Sequence, residues 1–279
     1  MRLSLPSSPL PFPAPVLLVR CLAIGALVAG AIGCAAPADA VDTRSVVFDS
    51  QSYRIVTVNL RREDIEFHWR EPGSGEPFGT LEALRAWSEG RGKRLLFATN
   101  AGIYDRQFAP LGLFVENGKT VIPLNLAHGD PRSGNFSLLP NGVFAIYDDG
   151  HAEVRRSQDF RQSGAKPRWA TQSGPMLVID GQVNTQFVDD SDSMKWRSGV
   201  CARTPDQVIF AVSEAPVNFH GFARLFRDEL GCRDALFLDG TISQFYLDDD
   251  GNGSGSYAGA PAFMVKPYAG MIAVYAKNP

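Results

Sequence analysis

Short apolar and β-branched runs, broken at close intervals by Gly, Asn and Asp, fill the chain from residue 45 onward. This is the pattern of strands joined by tight turns. "SVVFDS" and "YRIVTVNL" open it, and "DIEFHW" places Ile65, Phe67 and Trp69 on one face of a strand. "LLFATN" reads as a buried strand running into "AGIYD". "LGLFVENGKTVIPLN" is a hairpin turning at Asn117-Gly118. "NFSLLPNGVFAIYDDGHAEVRR" is a meander with turns expected at Asn141-Gly142 and Asp149-Gly150. "PMLVIDGQV" turns at Asp180-Gly181. "VIFAVSE", "ALFLDG" and "AFMVKPYAGMIAVYAK" supply further strands. Only two segments change to helical spacing. In "GTLEALRAWSEGRG", Thr80 is an N-cap, Leu81, Leu84 and Trp87 form the apolar face, and Gly90 or Gly92 ends the helix. In "NFHGFARLFRDELGC", Phe219, Phe222, Phe226 and Leu230 share a face.

The expected fold is α+β: one domain over residues 45–279, a mixed and largely antiparallel β-sheet system, and two main helices. Strands and helices do not alternate as a Rossmann or barrel fold requires. The composition, 44% hydrophobic and 20% charged, is that of a globular chain. A net charge of −3 without a basic run excludes a nucleic-acid partner.

Residues 1–40 change the picture at one end. Arg20 precedes "CLAIGALVAGAIGCAAPADA", an apolar, small-residue stretch with the design of an export signal. Cleavage is expected near 33/34, where "AIGC" resembles a lipobox and would leave Cys34 as a lipid anchor, or near 40/41 after "ADA". The expected location is therefore periplasmic, or anchored as a lipoprotein in a bacterial envelope. Beyond the leader, Cys201 and Cys232 are expected as buried free thiols, with a disulfide the alternative that an oxidising compartment permits.

Several buried strands end in clusters of small polar residues, the places where a rigid scaffold presents chemistry. "FATNAG" carries Asn100 and Gly102. "WATQSGP" carries Thr171, Gln172, Ser173 and Gly174. "KWRSG" carries Arg197, and "LFLDGTIS" carries Asp239, Gly240 and Ser243. Each alone reads as an ordinary turn. Together they supply amides, hydroxyls, one Arg and one Asp, a set suited to sugar hydroxyls and an anion.

The blocks "TNAGIYD", "PLGLFVENG", "LN", "GNFSLLPNGVF", "ATQSGPMLV", "RSG", "FAVSEAPVNFHGFARLFRDELGC" and "ALFLDGTIS" occur in an order that resembles the phosphodiester glycosidase domain family, across roughly residues 46–275. The likeness is to its bacterial exported branch. That family includes the enzyme that uncovers mannose 6-phosphate by removing N-acetylglucosamine from a phosphodiester. One departure stands out. The animal enzyme follows the acidic strand end with several glycines and serines, whereas Thr241 and Ile242 stand here.

The resemblance implies a hydrolase that cuts the bond between a sugar's anomeric carbon and a phosphodiester. Phosphate leaves readily, so a carboxylate, a phosphate holder and sugar-reading groups suffice. Asp239 is the first choice for the carboxylate, Glu214 the second and Asp105 the third. Arg197 is assigned to the phosphate. Asn100, Gly102, Asp105, Asn125, Thr171, Gln172, Ser173, Gly174, Gly240 and Ser243 are assigned to the substrate. The expected partner is a carbohydrate phosphodiester. Two alternatives remain: a non-catalytic glycan-binding protein of the envelope, and a phosphodiesterase cutting the P–O bond. No zinc site is expected from the scattered His68, His128, His151 and His220. Asp248, Asp250, Asn252 and Gly253 match half of a Ca²⁺ loop, but Gly259 stands where the closing Glu belongs, so a solvated acidic turn is expected.

Overall fold

The computed structural model describes residues 41–127, 131–249 and 255–277. The leader with Cys34, His128, and Asp250, Asn252 and Gly253 of the acidic segment lie outside them. β1 (Asp42–Phe48) and β2 (Gln51–Asn59) form a hairpin, followed by β3 (Glu63–His68), α1 (Leu81–Glu89) and β4 (Leu95–Asn100). β5 (Phe114–Glu116) and β6 (Lys119–Ile122) turn at Asn117-Gly118. β7 (Gly142–Ile146) and β8 (Ala152–Arg156) turn at Asp149-Gly150 and lead into α2 (Ser157–Ser163). Next come β9 (Trp169–Ser173), β10 (Met176–Ile179), β11 (Gln182–Val183) and the long hairpin of β12 (Arg197–Thr204) and β13 (Gln207–Ser213). α3 (Phe219–Arg224) continues into one π turn, Leu225–Glu229. β14 (Ala235–Gly240), β15 (Gln244–Leu247), β16 (Ser256–Gly259), a 3₁₀ turn at Ala262–Met264 and β17 (Met271–Ala276) complete the order.

These strands make three sheets, ordered β1-β2-β13-β12-β14-β10-β11, β16-β15-β4-β17-β3 and β6-β5-β9-β7-β8. Every ladder among the described strands is antiparallel. The fold is α+β with β structure predominating. All three sheets contribute to one core. Phe210 of the first sheet touches Phe97 of the second at 5.0 Å between ring centroids and Phe144 of the third at 6.0 Å. Phe67 of the second sheet meets Phe144 at 5.8 Å. β2 shows why the strand pattern is nearly continuous. Val56 and Val58 face this shared core, while Tyr53 and Ile55 face a helix layer. A strand covered on both sides needs apolar residues at successive positions.

Each helix closes one outer face. α1 starts at Thr80, whose side chain accepts the Ala83 N–H at 3.0 Å, and buries Leu81 and Leu84 against the second sheet. α3 and its π turn bury Phe222, Phe226 and Leu230 against Ile55, Cys201 and Ile209 of the first sheet. α2, which the sequence pattern did not announce, sets Phe160 against Val143 and Ala145. It has one apolar anchor, too few to show a helical period.

Three expectations are corrected. Asn141-Gly142 is not a turn: Gly142 already pairs with Ser173 and Arg156, and the Asn141 side chain folds inward to donate to the Phe136 carbonyl at 3.0 Å. The closing strand begins only at Met271, since "AFMVKP" forms the 3₁₀ turn and a connecting strap. Cys201 and Cys232 are joined as a disulfide. The packing of α3 over β12 brings residues 31 apart in sequence together, a proximity the sequence cannot display. By loop-closure entropy, replacing both by Ser is expected to cost about 3.5 kcal/mol, read as an equal drop in unfolding free energy in urea titration. Reductant should destabilise the native chain similarly and leave the double variant unchanged.

Candidate active site

Strand ends from all three sheets meet at one point. β14 delivers Asp239 from the first sheet, β4 delivers Asn100 from the second, and β9 delivers Thr171, Gln172 and Ser173 from the third. Hydrogen bonds fasten them together. Asn100 Nδ2 donates to Asp239 Oδ2 at 2.9 Å. Thr171 Oγ1 donates to the Ala101 carbonyl at 3.0 Å, and Ser173 Oγ to the Leu238 carbonyl at 2.9 Å. Ser243 Oγ donates to the Asp239 carbonyl at 2.8 Å and accepts from Ser198 Oγ at 2.9 Å. Gly102 is required here. Its φ is +152°, and a Cβ would lie 3.1 Å from both side-chain atoms of Ser173.

Asp239 is deep in protein yet partly accessible, on the wall of a cleft of about 830 Å³. Burial pushes its carboxyl up to about 7, and the Gly240 N–H at 2.7 Å and Asn100 only partly offset this. Its negative charge in turn adds to burial in raising the phenols of Tyr104 and Tyr268. The cleft takes its other walls from the segment after β4 and from the strap before β17: Tyr104, Arg106 and Phe108 on one side, Lys266 and Pro267 on the other, with Asn135 beside them. Tyr104 stacks on Phe108 at 5.7 Å, and its hydroxyl donates to the Pro267 carbonyl at 2.8 Å, so the two walls are tied. The backbone just past Asp239 is strained. Thr241 has φ +27°, a region that favours glycine.

The sequence-assigned residues divide into two groups. Asp239 and Asp105 line the cleft. Asp105 Oδ1 also accepts the N–H groups of Gln107 and Ala109 at 2.8 and 3.0 Å, shaping the wall that carries Arg106. Asn100, Gly102, Thr171, Gln172, Ser173, Gly174, Gly240 and Ser243 are buried behind that wall. Asn125 is half-buried: its Nδ2 donates to the Leu111 carbonyl at 2.8 Å and its N–H to Gln172. The other two assigned residues do not line the cleft either. Glu214 stands at the surface, paired with Arg54 at 3.3 Å. Arg197 is 1% exposed and lies outside the cleft lining. Its Nε donates to the Val217 carbonyl and its Nη2 to the Ser193 carbonyl, with the guanidinium 3.6 Å from the Phe219 ring centroid. Burial pushes its pKa down to about 10. Asp248 is buried and paired with Arg94 at 2.7 Å. Among the described residues no cluster of three metal-ligating side chains occurs.

Arg106 and Lys266 escaped the sequence reading. Arg106 directly follows a recognised block, but a surface Arg after Asp looks like any loop residue. Lys266 was absorbed into a strand that begins five residues later. The Lys-Pro pair inside that apolar run was the available signal, since proline is confined to edges and irregular points of sheets.

Strand ends of three antiparallel sheets thus converge on one carboxyl, in a cleft that Arg106 and Lys266 also line. The phosphodiester glycosidase family model matches residues 93–275. A relative from Escherichia coli (strain K12), described as uncharacterized protein YigE, is 36% identical over 222 residues, covering 80% of this chain and 81% of its own. The catalytic domain of zebrafish N-acetylglucosamine-1-phosphodiester alpha-N-acetylglucosaminidase, solved auto-inhibited by its pro-peptide, matches with a TM-score of 0.57 at 16% identity. That match covers 88% of this chain and 85% of the zebrafish domain. A hypothetical protein from Synechocystis matches with a TM-score of 0.53 at 14% identity, covering 85% of this chain and 62% of that one. At these identities the two structural matches are likenesses of fold. The chain belongs to the phosphodiester glycosidase family.

Proposed function

We propose that the chain hydrolyses the bond between a sugar's anomeric carbon and a phosphodiester oxygen, with Asp239 as the general base and Arg106 and Lys266 holding the phosphate. The observation that carries this reading is geometric: a buried strand end delivers Asp239 to a cleft that Arg106 and Lys266 also line, and burial there raises its carboxyl. A base that titrates at the working pH combines an available lone pair with driving force for proton transfer. Water attacks the anomeric carbon and Asp239 takes its proton. The C–O bond to phosphate breaks, and its electron pair leaves on the phosphate monoester beside Arg106 and Lys266. Tyr104 and Phe108 offer an aromatic wall to the sugar ring. Among the described residues only Asp239 and Asp105 bring carboxylates to the lining, and Asp105 is committed to its turn.

The zebrafish enzyme's name makes an N-acetylglucosamine-1-phosphodiester the first substrate to assay. Hydrolysis in ¹⁸O water should place the label in the released sugar. Label in the phosphate would instead establish P–O cleavage, and binding without turnover would establish a glycan-binding protein. Arg106→Ala and Lys266→Ala are each expected to raise KM about tenfold, the loss of one charge-assisted contact, with kcat changed less. Arg197→Lys should leave KM unchanged.

The Cys201–Cys232 disulfide supports an oxidising compartment, and with the leader we propose that the protein is exported to a bacterial envelope, either free in the periplasm or anchored at Cys34.

A further inference from the structure

The strap Ala260–Pro267 borders two clefts. Lys266 and Pro267 line the cleft of Asp239, while Pro261, Ala262 and Val265 line a second one of about 470 Å³. Tyr268 joins them. It lines the second cleft, and its hydroxyl donates to the carbonyl of Ile242, three residues past Asp239. We infer that the second cleft is a subsite for an uncharged sugar ring of the same substrate, which makes oligosaccharide or polysaccharide phosphodiesters the substrate class. This inference rests on the proposed function.

Two features carry it. The first is a prepared aromatic platform. Tyr257 is 44% exposed, yet its ring is held at both ends. The hydroxyl donates to Glu82 Oε2, and the ring packs edge-on against Tyr246 at 5.7 Å. An exposed ring fixed before binding offers a face to the C–H side of a sugar at little entropic cost. The second feature is charge. No Lys or Arg lines this cleft among its described residues, and Glu82 does. The Tyr257 hydroxyl and then Arg85 hold the Glu82 carboxyl below its usual range, so it stays ionised. The two clefts therefore sort the substrate: phosphate beside Arg106 and Lys266, a neutral ring beside Glu82.

The test is calorimetric titration of the full protein with a neutral N-acetylglucosamine trisaccharide, and with a galacturonate trisaccharide as charged control. The neutral probe should bind saturably and the charged one should not. Tyr257→Ala should weaken binding at least about tenfold, Tyr257→Phe should largely retain it, and Arg106→Ala should leave it unchanged. No saturation, equal binding of the charged probe, or indifference to Tyr257→Ala would overturn the subsite. Neither probe contains phosphate, so this result stands apart from turnover: Tyr257-dependent binding in a protein that cleaves no sugar phosphodiester would overturn the proposed function and the phosphodiester substrate class, and leave the sugar-ring subsite standing. Where turnover is present, a trisaccharide phosphodiester should show a KM about tenfold below that of the monosaccharide, and Tyr257→Ala should remove the difference.

Discussion

Asp239→Asn is expected to lower kcat about 10³-fold, within the range for removal of a positioned base, and to raise stability above neutral pH. The activity loss follows because an amide accepts no proton from water. The stability gain follows from linkage. Asp239 moves from 3.8 to about 7 on folding. Between these values the folded chain binds a proton that the unfolded chain has released, so the contribution to stability is full below pH 4 and is lost as pH rises through 7. At pH 8 the wild type holds a carboxylate in a site that resists the charge, and the Asn variant does not. The ceiling on the gain is about 4 kcal/mol; water entering from the cleft reduces it. Urea unfolding at pH 8 should therefore favour the variant, and the gap should close by pH 4. In the wild type, kcat/KM should rise with pH through a midpoint near 7. A variant with full activity would remove Asp239 from the chemistry, and equal stability at both pH values would remove the raised carboxyl.

Much of this site could be read in the chain because its position is set by strand periodicity. "ALFLDG" delivers Asp239 to a strand end wherever the other strands lie, and "LLFATN" does the same for Asn100. Their meeting at 2.9 Å is a tertiary event, but two buried strands that both end in polar residues are a strong hint of it. Glu214 shows the limit of the same logic. It too ends a buried strand, at the same end of the first sheet and two strands from Asp239, yet its carboxylate turns to Arg54 of the neighbouring strand β2. Periodicity gives the end of a strand and not where the side chain then points. Arg197 was misplaced for a related reason. It neighbours Gly240 in the ladder, but its guanidinium runs to Val217 and Ser193 instead of the cleft. Arg106 lay beyond reach because loops carry no period, and Lys266 was marked only by the Lys-Pro pair that breaks its apolar run. The three-sheet arrangement was hidden similarly, since strands buried on both faces look alike whichever sheet they join.

Gln172→Leu separates a framework role from a substrate contact, and its expected effect is on stability. The side-chain amide is saturated inside the protein. Oε1 accepts the Leu113 N–H at 3.0 Å and the Asn125 N–H at 2.9 Å, while Nε2 donates to the Asn125 carbonyl at 2.6 Å and to Ser157 Oγ at 2.9 Å. No hydrogen is left to offer a sugar. Leucine fills the volume but leaves four polar groups without this partner, at about 1–3 kcal/mol for each left buried and unpaired. Because neighbours share the relaxation, a net loss of about 5 kcal/mol is expected, a large part of a typical domain's stability. Gly112→Ala tests the same lock from outside. Its Cβ would lie 2.4 Å from Gln172 Oε1, and an amide held by four bonds has no room to yield. Both variants should unfold at lower urea concentration, with KM near that of the wild type in whatever fraction remains folded. A raised KM with unchanged stability would return Gln172 to the substrate.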